Sequence, residues 1–151
     1  MADALTHIVS ARLTGGWQAD PRARFFFYAG TLLPDILTKG MIYGMLSSAH
    51  ATVPTHSIAG LLLYCALFAF IVEEGFRRTA FTALYAGSIL HLAIDLTKDS
   101  VGRSGDALFF PFWNEVVELE WYWPEDGIWF LPVNLAIIVA IEALSRRKRS
   151  A

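Results

Sequence analysis

Residues Thr79–Thr97, TAFTALYAGSILHLAIDLT, decide how this chain is read. The run is apolar except at His91 and Asp95, and its length approaches the ~20 residues that a bilayer crossing needs. His91 and Asp95 are four apart, so a helix puts them on one face, one turn apart. An ionised carboxylate in such surroundings is costly unless it is paired or bound to a metal. The pair is therefore a functional-site candidate, although alone it fits a structural Asp–His hydrogen bond equally well.

Outward from that run, two more segments have the same character. Ile58–Val72 (IAGLLLYCALFAFIV) carries no charge, and Pro54 and Ser57 supply helix-start chemistry just before it. Ile128–Leu144 (IWFLPVNLAIIVAIEAL) is interrupted only by Pro132, Asn134 and Glu142. Composition agrees: 55% of the 151 residues are hydrophobic and 17% charged, against roughly 25% charged in soluble domains. Mean hydropathy is +0.45. The expected fold is all-α: one domain over residues 1–151, a multi-pass membrane bundle of two helical hairpins plus a C-terminal transmembrane helix.

The N-terminal hairpin is read from its punctuation. Ala2–Thr14 forms a short helix that stops at Gly15-Gly16. Asp20-Pro21 then offers an N-cap followed by proline at the first helical position, and the next helix runs to Pro34-Asp35. Residues 98–127 are polar and Trp-rich without long periodicity. Asp3 and His7 interrupt the N-terminus, which has no basic region ahead of an apolar one, so no signal peptide is expected. Cys65 is the only cysteine, which excludes an intrachain disulfide. The net charge of −2 gives no electrostatic reason to expect nucleic acid as a partner.

Charge asymmetry orients the bundle. The cluster Arg146-Arg147-Lys148-Arg149 follows the last apolar segment, and Arg77 and Arg78 lie in the loop between the first two. By the positive-inside rule both belong in the cytoplasm. Residues 98–127 then lie outside, where Trp113, Trp121, Trp123 and Trp129 are equally an interfacial belt or an ordinary loop cluster.

The same hairpins gather the remaining polar residues. His56 mirrors Asp95 about the centre of the Glu73–Arg78 loop, so antiparallel helices bring it level with His91 and Asp95. His7 mirrors Asp35 about residue 21 in the N-terminal hairpin. Two hairpins with basic turns at one end therefore present His7, Asp35, His56, His91 and Asp95 at the other. Five nitrogen and oxygen donors in one place suit zinc or another first-row divalent ion.

These residues also form a series of short motifs: Asp3-Ala4-Leu5-Thr6-His7, Leu33-Pro34-Asp35, Thr55-His56-Ser57, His91-x-x-x-Asp95, and later Gly105 and Phe110-Pro111-Phe112. In this order they resemble the bacterial inner-membrane metal-dependent hydrolases, which in turn resemble the zinc-dependent phospholipase C fold. The resemblance covers residues 3–112. It implies that His7, Asp35, His56, His91 and Asp95 are metal ligands, with a divalent metal, zinc by that likeness, as the cofactor. Asp35 or Asp95 would serve as the catalytic base, and the substrate would be a phosphoester or lipid-borne ester met at the membrane. The chain departs from the family at two places: no Arg-Gly pair stands between His50 and Thr55, and Leu37 occupies the position of a second acid.

Other polar residues have plainer readings. His50 reads as a solvated loop histidine, Glu115, Glu118 and Glu120 as an acidic face, and Asp99 and Asp106 as loop or cap residues. Lys39 and Arg103 read equally as phosphate contacts or exposed charges. The competing functional reading is a non-enzymatic membrane protein whose metal or polar cluster only staples helices together.

Overall fold

The computed structural model describes residues 4–15, 20–44, 49–99, 107–123 and 126–150. Among them the chain is helical: α1 Ala4–Gly15, α2 Pro21–Lys39, α3 Ile58–Phe70, α4 Arg77–Asp95 and α5 Gly127–Ser150. A π-helical turn, Gly40–Gly44, and a 3-10 segment, Ala49–His56, lie between α2 and α3.

Two helix starts follow directly from sequence. Asp20 caps α2 by accepting a hydrogen bond from the Arg22 backbone N–H at 2.8 Å, with Pro21 in the first turn. Ser57 caps α3 by accepting from the Gly60 N–H at 3.0 Å, and its hydroxyl donates to the Pro54 carbonyl. The expected end of α2 at Pro34-Asp35 is corrected, since the helix continues through Pro34 to Lys39. Proline has no N–H for the carbonyl four residues earlier, here Gly30. The Ser88 hydroxyl of α4 lies 3.0 Å from that carbonyl and 3.0 Å from the Leu84 carbonyl of its own helix, so its one proton serves either.

The α2–α4 pair is the centre of the molecule. Its two backbones meet so closely that a Cβ on Gly30 would lie 2.0 Å from the Leu84 carbonyl oxygen, and one on Gly87 would lie 2.1 Å from that of Phe27. Glycine is required at both positions by this approach. Small apolar clusters flank the contact: Ala11, Phe27 and Ala83 on one side, Leu33, Cys65 and Leu84 on another. Leu61, Leu92 and Leu108 form a third that pins the start of α3, where the Ile58 N–H donates to the Leu108 carbonyl at 3.0 Å.

The two hairpins stand side by side. Arg22, at the start of α2, pairs with Glu73, at the turn before α4, at 2.8 Å and stacks over the Phe76 ring. Their turns thus share one end, and the C-termini of α2 and α4 share the other. At that second end an extended arm runs back over the chain: Leu119 N–H donates to Leu96 O, and Trp121 N–H to Thr97 O. Lys98 and Tyr122 form a parallel bridge there. The Tyr122 ring then meets Phe130 of α5, and Asn134 of α5 donates to Thr6 of α1 at 2.9 Å.

Three helices that each span a bilayer are the expectation from sequence. Among the described residues no helix is long and apolar enough to cross a membrane. The physical reason differs between helices: α3 is charge-free but ends at Phe70, while charges fall inside α4 and α5. Arg77 and Arg78 open α4, and α5 continues through the C-terminal basic cluster. The charge-free parts are thirteen residues in α3, twelve in α4 before His91, and fifteen in α5. At 1.5 Å per residue these measure about 20, 18 and 22 Å, against ~30 Å of hydrocarbon. The surface is nevertheless apolar. α3 buries only the stripe Leu61, Cys65 and Ala69, while Leu62, Leu63, Leu67, Phe68 and Phe70 are exposed. Val133, Leu135 and Val139 of α5 are exposed as well. Surface of that kind marks contact with a partner or a membrane.

Candidate metal centre

The helical ends opposite the Arg22–Glu73 turn bring together all five residues singled out from sequence. His7 comes from α1, Asp35 from the last turn but one of α2, His56 from the 3-10 segment ahead of α3, and His91 and Asp95 from α4. Two overlapping triads have donor atoms within 4.8 Å of one another: His7, His91 and Asp95, and Asp35, His56 and His91.

His91 is the hub. It is fully buried, and its Nδ1–H donates to the Thr31 carbonyl of α2 at 2.8 Å. A carbonyl only accepts, so Nδ1 carries a proton, and Nε2 is the ring nitrogen turned toward the cluster. That Nε2 lies 3.0 Å from Asp95 Oδ2, 3.4 Å from His56 Nε2 and 4.0 Å from Asp35 Oδ1. A lone pair facing two carboxylates and another imidazole is repulsive unless a cation lies among them, either a proton on Nε2 or a metal ion. The backbone hydrogen bond on the far ring nitrogen is the usual means of orienting a ligating histidine.

His7 and His56 complete the cluster. The His7 ring stacks on His91 with centroids 4.0 Å apart, and His7 Nε2 lies 3.3 Å from Asp95 Oδ1. That approach is poorly directed for a hydrogen bond, and both buried His7 nitrogens lack a hydrogen-bond partner among the described residues. Such an orphan costs about 1–3 kcal/mol in a buried site, a cost that a cation at Nε2 would offset. His56 Nε2 lies 3.7 Å from Asp95 Oδ2 and 4.0 Å from Asp35 Oδ1. On its other side Nδ1 meets the hydroxyls of Thr38 and Thr55, each at 3.1 Å. Burial, reinforced by neighbouring His91, pushes His56 down to about 4. Burial likewise lowers His7, against the opposing pull of Asp95. Both imidazoles are neutral near pH 7 and in the state that binds metal.

Two lysines stand at the rim. Lys39 Nζ is 3.2 Å from Asp35 Oδ2, and Lys98 Nζ contacts Asp95 Oδ1. Lys98 was not legible as a site residue, although its spacing of three from Asp95 on a helical face was a usable signal. Thr38 and the Thr31 carbonyl were also missed. A backbone acceptor has no sequence signature, and Thr38 lies beyond the expected end of α2. Glu115 and Glu120 are exposed on the arm, and Asp99 donates its N–H to the Tyr122 carbonyl; none joins either triad. Asp3, Gly16, Arg103, Gly105, Asp106 and the side chain of His50 lie outside the described residues.

Exposed apolar helix flanks around a buried polar cluster define a helical protein that meets a membrane or a partner. The chain belongs to the YdjM inner membrane protein family, whose model matches residues 1–150. That description states a location and no reaction. No curated protein and no solved structure matches the chain.

Proposed function

We propose that His7, Asp35, His56, His91 and Asp95 hold a divalent metal ion, zinc by its donor chemistry, and that the protein is a membrane-bound metal-dependent hydrolase of phosphoester or lipid-borne substrates. The observation that carries the first half is the convergence of two carboxylates and a second imidazole on the Nε2 of His91. The hydrolase half rests on the motif resemblance. When bound, such an ion polarises a phosphoryl oxygen and acidifies water. Asp35, the more exposed of the two carboxylates, is placed to accept the proton of an attacking water. Asp95, enclosed by His7, His91 and Lys98, orients the imidazoles.

The exposed apolar flanks of α3 and α5 support lipid as the surroundings of the bundle. Their charge-free lengths call for a thinned bilayer and snorkelling arginines. The basic turn end and the C-terminus face the cytoplasm in this reading, with the metal centre toward the opposite face. External thiol labelling of Arg77→Cys or Arg149→Cys in intact cells checks it: protection is expected, and labelling overturns the orientation.

A second reading has one observation in its favour. The Lys98–Asp95 contact already gives a buried carboxylate a cation, as a purely structural polar cluster requires. Elemental analysis together with a broad phosphodiesterase screen separates the two. Stoichiometric metal with turnover supports the hydrolase, and a metal-free, inactive protein supports the staple.

A further inference from the structure

Each carboxylate of the cluster is divided between two kinds of partner. Asp35 turns Oδ1 toward His56 and His91 and Oδ2 toward Lys39. Asp95 turns Oδ2 toward His91 and His56, and Oδ1 toward both His7 and Lys98. Each carboxylate thus faces the ligand cluster and at the same time holds an ammonium group at its edge. Lys98 is only 7% exposed, an expensive position for a lysine whose sole task is to balance a surface.

The charges decide what this arrangement suits. Two aspartates alone neutralise a divalent ion, and a closed structural site needs nothing more. Here the two carboxylates are already matched by two ammonium groups. A bound divalent ion therefore leaves a double positive charge in a largely buried place, with the three imidazoles neutral. That excess calls for an anion beside the ion.

We propose that Lys39 and Lys98 are binding residues for an anionic, phosphoryl-type ligand of the metal centre. This rests on the metal reading above and goes beyond it by assigning the groups that recognise the ligand. With the ion drawing on the aspartates, each ammonium has a donor to offer a phosphoryl oxygen in a charge-assisted hydrogen bond. Lys39 is half-exposed and meets the ligand from the solvent side, while Lys98 meets it from beneath the Leu119–Tyr122 arm.

The test is calorimetric titration of the zinc-loaded, detergent-solubilised protein with inorganic phosphate, alongside Lys39→Met and Lys98→Met loaded in the same way. Phosphate is expected to bind the zinc-loaded wild type and not the metal-free protein. Each substitution is expected to weaken it by about tenfold or more, the loss of one charge-assisted hydrogen bond, with metal content unchanged. Lys39 lies at the rim, so its variant reports even where Lys98→Met fails to fold. Phosphate affinity within twofold of wild type in zinc-loaded Lys39→Met overturns the proposal, as does failure of the zinc-loaded wild type to bind phosphate. A wild type that binds no metal overturns the metal reading itself, a distinct result. Competition by phosphatidic acid in mixed micelles assigns the ligand to a lipid headgroup, and absence of competition assigns it to a free phosphate ester.

Discussion

The two ends of the paired hairpins treat charge in opposite ways. At the turn end Arg22 and Glu73 meet in solvent, and neither side chain is buried. At the other end His7, His91, Asp95 and Lys98 meet with almost no access to water. A solvent-exposed pair contributes about 0–1 kcal/mol, because water serves the separated charges nearly as well. A buried cluster costs several kcal/mol in desolvation and is stable only when every member finds its partner. The turn end is therefore replaceable for folding, while the site end is a set of mutually dependent groups. Such dependence is better explained by the binding of an ion than by stability, since apolar residues hold helices together at lower cost.

Substitutions at the two ends sharpen this contrast. The largest effect is expected for Asp95→Ala, which strands the buried Lys98 ammonium. Denaturant unfolding of the metal-free protein is expected to show about 3–5 kcal/mol of lost stability, the usual cost of breaking a buried pair. A loss below 1 kcal/mol would put the site end on the same footing as the turn end.

Acid tests the same end without mutation. Burial holds His56 at about 4 in the fold, against 6.5 when free. The unfolded chain therefore takes up a proton first as pH falls. Stability is full above pH 6.5 and declines toward pH 4, by on the order of 3 kcal/mol. Melting of the metal-free protein across this range measures the slope, and His56→Gln should flatten it.

A smaller loss, about 1–3 kcal/mol, is expected from Gly87→Ala. The added methyl overpacks against the Phe27 carbonyl, and α2 must shift away from α4. Because Thr31 and His91 lie across the same seam, metal affinity should weaken with it, whereas an exposed alanine such as Ala86→Gly should leave affinity alone. The least effect belongs to the turn end: Glu73→Gln is expected to change stability by less than about 1 kcal/mol.

The sequence made the site more legible than its membrane setting. His56 and Asp95, and His7 and Asp35, stand at mirrored distances from their turns, and that counting, with the one-turn spacing of His91 from Asp95, brought five distant residues to one end. Capping chemistry at Asp20-Pro21 and Ser57 fixed the two helix starts that make the counting valid. The end of α2 was misjudged because proline lacks an N–H, yet Ser88, far away in sequence, offers a donor to the Gly30 carbonyl. Hydropathy does not say where a helix stops: α3 ends at Phe70, ahead of the first charge at Glu73, whereas α4 and α5 continue through charges. Arg77 and the C-terminal basic cluster both prove to be helical. Lys98 escaped notice although its spacing of three from Asp95 was a usable signal; its burial, beside the Leu119–Tyr122 arm that pairs with Leu96–Lys98, is long-range and had no local signature.

The most direct test of the central claim is the metal-to-protein ratio of purified wild type and His91→Ala, with helical content checked by circular dichroism. The account predicts about one divalent ion per wild-type chain, as a single His/Asp centre holds, and almost none in a still-helical His91→Ala. Equal metal content in the two proteins, or none in the wild type, would contradict it.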